Sequence, residues 1–492
     1  MAVNWVDRMI AYFNPAAGIQ RAQLRNVLAK FEAVEGDKQR IKPRDHRSPD
    51  AIMHGSGRHL RAQARDLESN LDVADGALTF LTNTVIGPRG IGIEPQPKRA
   101  DGTIHEEFAK AIRSLWADFS KRPDVTHTMS MAQAERLAFR SWVRDGEMLA
   151  QHILGNVRGL NHGTVVPYSI ELLEADFLPF ELSDPARRIV QGVEMNAWGQ
   201  RRAYHVYKEH PGGTYTGGSL FQSTKSVPAE RMTHLRLVKR LHQTRGQTVF
   251  ASAFNRLMDI KDYEESERIA AKVAASMAAY IKKGLPEDYK ATDDSGQDVE
   301  SREIHFRPGL IFDDLRPGED VGTIDTSRPN SNAEGFLELQ MRRTAAGVGM
   351  SYSSFSKNYN GTYSSQRQEL VEQWSAYETL GAEFIDQFKL PIYTRFLDMA
   401  LLSGQLVMPR DLDAASLHDA MFQMQSMPWI DPLKEANAWA LLEENHHASG
   451  PEIIRRRGRN PDDVLAESRQ WQEKTAELQP AAPQVEDNQN AA

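Results

Sequence analysis

Carboxylate pairs and histidines are the residues from which chemistry would have to start in this sequence. Asp313 and Asp314 are adjacent, and Glu264, Glu265 and Glu267 crowd one stretch of a helical pattern. Either group has the residue type for acid–base work or for holding a divalent cation, and carboxylates on a solvated face give the same pattern. His446 and His447 are adjacent, a spacing that does not set both on one helical face toward a metal. His205 and His234 fall in strand-like runs and read as structural. No G-x-x-x-x-G-K-[ST], G-x-S-x-G or H-E-x-x-H occurs. "GPRGIGIEP" (87–95) has clustered glycines but misses G-x-G-x-x-G, and its prolines make it a turn. With no cysteine in the chain, disulfides, thiolate metal sites and cysteine nucleophiles are excluded. These residues build no catalytic constellation. The reading is no catalytic residue, no metal and no cofactor.

The elements that would position any site come in three blocks. At 492 residues the chain is expected to form about two to four structural units. Residues 15–55 are charged and mixed. Helical patterns follow at 56–87, 105–120 and 131–145, the last with Leu137, Phe139, Trp142 and Val143 on one face. Residues 147–240 change to short apolar runs separated by Gly, Pro and Asp, with "NAWGQ" (196–200) as a hairpin loop. That is the pattern of an antiparallel sheet.

From Phe250 the pattern predicts one helix over about 252–283, roughly 45–50 Å long at ~1.5 Å per residue. Phe254, Leu257, Met258, Ile269, Val273, Met277, Tyr280 and Ile281 form its apolar stripe, and Gly284 and Pro286 end it. Beside the stripe stand Ala270, Ala271, Ala274, Ala275, Ala278 and Ala279. Small residues let another helix approach closely, either within one subunit or between copies around a ring. Residues 286–330 are polar and turn-rich, with strand candidates "EIHFRP", "LIFDDL" and "DVGTID"; a second helix follows at 331–349. After the loop "SYSSFSKNYNGTYSS", Ser365 and Gln368 fit a capping box. The helix it would open carries Leu370, Trp374, Tyr377, Gly381, Phe384 and Phe388 on one face, with Pro391 past its end. The remainder reads as mostly helical to about 478, and the last residues as disordered.

Charge constrains the partners. The net charge is -8, which gives no basic footprint of the usual nucleic-acid binder. No apolar run spans a bilayer, and "MAVNWVDRMIAYFNP" is a poor signal peptide. Yet from Thr344 to Gln366 there is no carboxylate and one cation, Lys357, in a chain with 26% charged residues.

"SKNYNGTYSSQRQELVEQW" (356–374) resembles the Tyr-Ser-Ser-x-Arg stretch of bacteriophage portal proteins of the lambda type. Further stretches resemble the same family in the same order: "HLRAQARDLESN" (59–70), "GPRGIGIEPQP" (87–97), "VEMNAWGQRRAYHVY" (193–207), "VPAERMTHL" (227–235) and "HQTRGQ" (242–247). They continue with "FRPGLIFDDLRPGE" (306–319), "PWIDPLKEANA" (428–438) and "IIRRRGRNPDDVLAE" (453–467). The resemblance runs over about residues 55–470; the N-terminal arm and the C-terminal tail depart from it.

The resemblance implies an α+β fold, mainly α. Its order would be an N-terminal arm (1–55), a wing of helices and antiparallel strands (56–250), stem helix 1 (251–284), a small β-containing clip (285–330) and stem helix 2 (331–349). A tunnel loop (350–365), a wing helix region (366–410), a helical crown (411–478) and a disordered tail (479–492) would follow. It also implies a ring, usually of twelve subunits, at one capsid vertex, assembled in the host cytoplasm. Double-stranded DNA would pass through it without sequence-specific contacts. Implied partners are the terminase large subunit, the major capsid protein, the scaffold and a head-completion protein. Lys357, Asn358, Tyr359 and Asn360 would be the DNA contacts, and Ala270, Ala274 and Ala278 the packing between copies. A loop facing moving DNA should not grip it, because each phosphate neutralised by Lys or Arg adds affinity through counterion release; Ser, Asn and Tyr touch phosphates without reading sequence. Two other readings stay open at this level: a metal-dependent nucleic-acid-processing enzyme, and a scaffolding or adaptor protein.

Overall fold

The computed structural model describes residues 46–213, 223–275, 279–283, 319–323, 332–428 and 431–478. The chain divides after Ala51 into two units. Of the first, residues 46–51 are described. The second holds almost all of the fold, which is mainly helical with small antiparallel sheets.

The first helices in chain order are α1 (Pro49–Asn70) and α2 (Asp72–Val85). Leu71 is extended between them, at φ -135°, so the helical region expected over 56–87 is two helices. Strand β1 (Gly92–Pro95) emerges from the glycine turn. Next come α3 (Glu106–Phe119) and α4 (Met131–Asp145). Helix α4 starts where it does because Ser130 and Gln133 form a reciprocal capping box. It stops at Gly146, which takes the left-handed φ of 86°. Of its expected apolar face, Phe139, Trp142 and Val143 are buried, but Leu137 is 48% exposed. Leu137 is two residues from Phe139, a spacing that turns it off the buried stripe.

Two sheets follow. Strands β2 (Glu147–Leu154) and β3 (Tyr168–Glu174) pair antiparallel, and β2 also pairs with β8 (Met232–Arg236). Between them in sequence, β4 (Ile189–Val190), β5 (Val193–Met195), β6 (Arg201–Tyr207) and β7 (Thr224–Pro228) form a four-stranded meander. The β5–β6 connection is the expected loop, closed by Asn196 N–H donating to Gln200 O at 2.8 Å. Leu149, Leu173, Val193, Tyr204, Val206, Val227 and Met232, drawn from both sheets, share one apolar cluster.

Helix α5 (Phe254–Ala275) is shorter than the alanine run suggests. Residues 279–283 are strand β9, whose backbone pairs antiparallel with β10 (Glu319–Thr323). Helix propensity is a weak prior, and the pairing, made 40 positions away, overrides it. Of the stripe, Phe254 and Leu257 are buried, while Met258 and Ile269 are exposed. Gly284, Pro286, "EIHFRP" and "LIFDDL" lie outside the described residues, as do Met277, Ala278, Asp313 and Asp314; "DVGTID" contributes to β10.

Helix α6 (Ala333–Val348) matches the expected second helix and ends at left-handed Gly349. The segment expected as a loop contains a short helix, α7 (Tyr352–Ser356), and the start of α8 (Tyr363–Phe384). The cap of α8 is Thr362, whose hydroxyl accepts from Ser365 N–H. The capping box expected at Ser365 and Gln368 is therefore one turn too late. Nor does the helix stop before Pro391. It passes through a π-turn (Ile385–Lys389) into α9 (Leu390–Leu402), with Pro391 in its first turn. Proline lacks the N–H that an uninterrupted α-ladder requires, and the wider turn ahead of it absorbs the change. Strand β11 (Ala420–Gln423), where helix was expected, pairs with β1. The described chain ends in α10 (Pro432–Glu444), α11 (Gly450–Arg456) and α12 (Pro461–Leu478).

The main core gathers α2, α3, α4, α8 and α9. Trp142, Phe139, Phe384 and Phe388 stack edge to face or tilted at 4.9–6.1 Å between centroids. Trp116, Phe119, Tyr168 and Phe396 continue the aromatic layer. Lys389 is inside this layer, its ammonium bound to buried Glu135 and 4.9 Å from the Trp116 ring.

Candidate functional site

Most stretches that carry the family resemblance meet at structural junctions. Glu147, the first residue of β2, is fully buried. Its carboxylate accepts from Arg245 Nε at 2.9 Å and Nη2 at 2.6 Å, Arg61 Nη2 at 2.7 Å, His234 Nε2 at 3.0 Å and Gly246 N–H at 3.0 Å. Those partners come from 59–70, 227–235 and 242–247. Burial alone would raise the Glu147 pKa; Arg245, His234 and Arg61 overcome that and hold it well below the usual carboxylate range. Burial pushes His234 down to about 4 despite the Glu147 carboxylate beside it. Arg245 also lies 3.9 Å from the Phe180 ring centroid. The chain can approach this closely only because two glycines face each other: a Cβ on Gly246 would sit 1.9 Å from Gly146 O.

A second junction holds β1, β11 and the C-terminal helices. Glu94, from the glycine turn, accepts from Arg455 Nε and Nη2 at 2.9 and 2.8 Å, and from Gln423 at 3.1 Å. Arg113 on α3 reaches Asp462 on α12 at 3.2 Å. These are packing devices, and His205, bonded to Glu194 at 3.0 Å, is another. His446 and His447 are exposed, and Glu264, Glu265 and Glu267 lie on α5.

The stretch 351–366 differs. Its ends are held: Ser351, Ser354 and Phe355 are buried, Ser353 donates to Glu369 through its hydroxyl at 2.5 Å, and Gln373 donates to Gly349 O at 2.7 Å. Its middle is offered to solvent. Lys357 ends α7 in the left-handed conformation, at φ 58°. Asn358 Oδ1 then accepts from Asn360 N–H at 3.0 Å, closing a tight turn. Gln366 donates to Tyr359 O. Lys357, Tyr359 and Asn360 are exposed, and Asn358 is half-buried against Tyr352. The four residues expected to touch DNA are thus one short, positioned, nearly uncharged projection. The Lys357 ammonium lies 4.8 Å from the Phe80 ring of α2, a cation–π contact with no signal in the sequence. Of the residues expected to pack between copies, Ala270 and Ala274 are on α5 and Ala278 lies outside the described residues.

Residues 36–380 match the model of the family described as phage portal protein, lambda family. The chain is 25% identical over 429 residues to a probable portal protein of Halomonas phage phiHAP-1, covering 84% of this chain and 80% of that one. It is 22% identical over 475 residues to portal protein B of Escherichia phage lambda, covering 85% and 84%. A solved chain from the neck of a native GTA particle, computed with C12 symmetry, is similar at 14% identity over 84% of this chain and 98% of that one. Its TM-score is 0.42.

Proposed function

The chain belongs to the lambda family of phage portal proteins, and on that premise we propose that it forms a ring at one vertex of a phage capsid and acts as a passive conduit for double-stranded DNA during packaging and ejection. The family match over residues 36–380 is the observation that carries this reading. The arrangement around residue 357 agrees with it. A projection of Ser, Asn and Tyr with one lysine touches phosphates weakly and reads no base edges. A cationic lining would add counterion-release affinity at every phosphate.

Twelve copies, the usual number in the family, are proposed for the ring. In this reading α5 and α6 are the stem helices, residues 285–330 the clip, residues 350–365 the tunnel loop, and Ala270, Ala274 and Ala278 the close-packing positions between neighbours. The chain supplies no chemistry of its own. A terminase motor docks on the clip, and a head-completion protein replaces it there; capsid protein and scaffold meet the wing. Imaging of the purified protein tests the ring directly, and packaging into proheads that carry variants of residues 350–365 tests the conduit.

A further inference from the structure

The Tyr363-Ser364-Ser365-Gln366-Arg367 stretch ends in a charge that no described carboxylate of its own subunit answers. Arg367, on the second turn of α8, has no carboxylate partner among the described residues, and neither has Lys357. Arg367's charged neighbour Lys434, itself paired with Asp431 at 2.9 Å, repels it. This flank of α8 borders a cavity of about 650 Å³ lined by Phe80, Lys357, Tyr363, Arg367 and Trp374. The opposite flank borders a second cavity of about 690 Å³, lined by Glu338, Tyr352, Asn358, Glu372 and Gln373. Ser351, Ser353, Gln366 and Glu369 line both, so the start of α8 and the projection before it form a wall between the two.

The second flank carries the opposite surplus. Glu338 is answered within its own copy by Arg342 at 2.6 Å, but Glu372 is exposed and has no cation among the described residues. Arg367 and Glu372 are five residues apart on one helix, which sets them about 140° apart around its axis. They cannot pair with each other, and they point to opposite sides.

An unanswered cation on one flank and an unanswered carboxylate on the other suit a heterologous contact, in which the same two unlike surfaces meet at every interface and close a ring. We infer that the flank of one copy bearing Arg367 seats against the flank of the next copy bearing Glu372, with Arg367 pairing to Glu372 across the interface. This inference rests on the ring reading and adds the register between neighbours.

Charge exchange tests it. Arg367→Glu, Glu372→Arg and the double exchange are compared with the wild-type full chain by sizing chromatography with light scattering over a dilution series, with circular dichroism to verify folding. Each single reversal should raise the concentration at half-assembly roughly three- to tenfold, and the double exchange should restore it. High salt should narrow the gap. Single reversals that assemble like wild type, or a double exchange no better than the singles, would overturn the pairing while leaving the ring intact. A wild-type chain that stays monomeric throughout would instead remove the ring reading itself, and the pairing with it.

Discussion

Glu147 and Arg245 meet wholly out of water, with Arg245 Nη2 2.6 Å from Glu147 Oε1 and neither side chain exposed. Segments around residues 61, 147 and 234–246 close on this pair, so it fixes how α1, β2, β8 and the 242–247 turn dock. Taking away Glu147 leaves the buried Arg245 guanidinium with carbonyl acceptors only, and an unanswered buried charge typically costs about 3–5 kcal/mol. Glu147→Gln should destabilise the chain by about that amount in urea unfolding. A loss within experimental error of zero would mean that the cluster opens to solvent.

The same cluster makes stability fall in acid. His234 is held down to about 4 against an ordinary value of about 6.5, so between those pH values the unfolded chain binds the proton and the folded chain does not. Stability from this group is therefore full above about pH 6.5 and lost as pH falls toward 4, by up to about 3 kcal/mol. His152, held down to about 4 by burial and by Arg395, adds a loss of the same sign. Glu147 is lowered well below its usual range, so its contribution is lost further into acid. His234→Gln, which cannot titrate, should flatten the pH 5–7 slope of unfolding free energy at fixed protein concentration; an unchanged slope would count against this assignment.

The alanine flank of α5 carries the next expectation. If neighbouring copies pack there, Ala270→Leu with Ala274→Leu adds volume at each contact, at about 1–3 kcal/mol per site. Around a ring this should leave helical, unassembled chains. Wild-type elution of the double variant would place the contact elsewhere.

Lys357 separates a DNA-facing projection from an ordinary surface turn. Lys357→Ala removes the contact with Phe80 and should assemble normally with mild effect on packaging. If the projection faces DNA, Lys357→Glu brings carboxylates against the duplex at every copy. At ~0.15 M salt the Debye length is about 8 Å, so only charges near the duplex count, and packaging should fall with partial rescue at higher salt. Unimpaired packaging by the Glu variant at all salt concentrations would show that the projection does not face DNA.

What could be read ahead of the structure divides by range. Helix α4 is legible because its apolar period is local, although Leu137 falls off the buried stripe. The same local reasoning carried α5 too far: an alanine run continues to favour helix, and nothing near it announces that 279–283 will pair with 319–323. Strand β11 was missed for the same reason, since its partner β1 is more than 300 residues away. Residues 351–366 stood out by their missing charge, which composition alone reveals. Arg367, unanswered among the described residues, and the Lys357–Phe80 contact do not, because being unpaired or stacked depends on which distant groups come near.

The ring is the central claim, and mass together with shape tests it most directly. Purified full-length protein should show, in single-particle images, closed rings with a central hole, and by native mass spectrometry one assembly near twelve times the 55.4 kDa chain. A population that remains monomeric or dimeric across the assembly range, with no ring in the images, would contradict it.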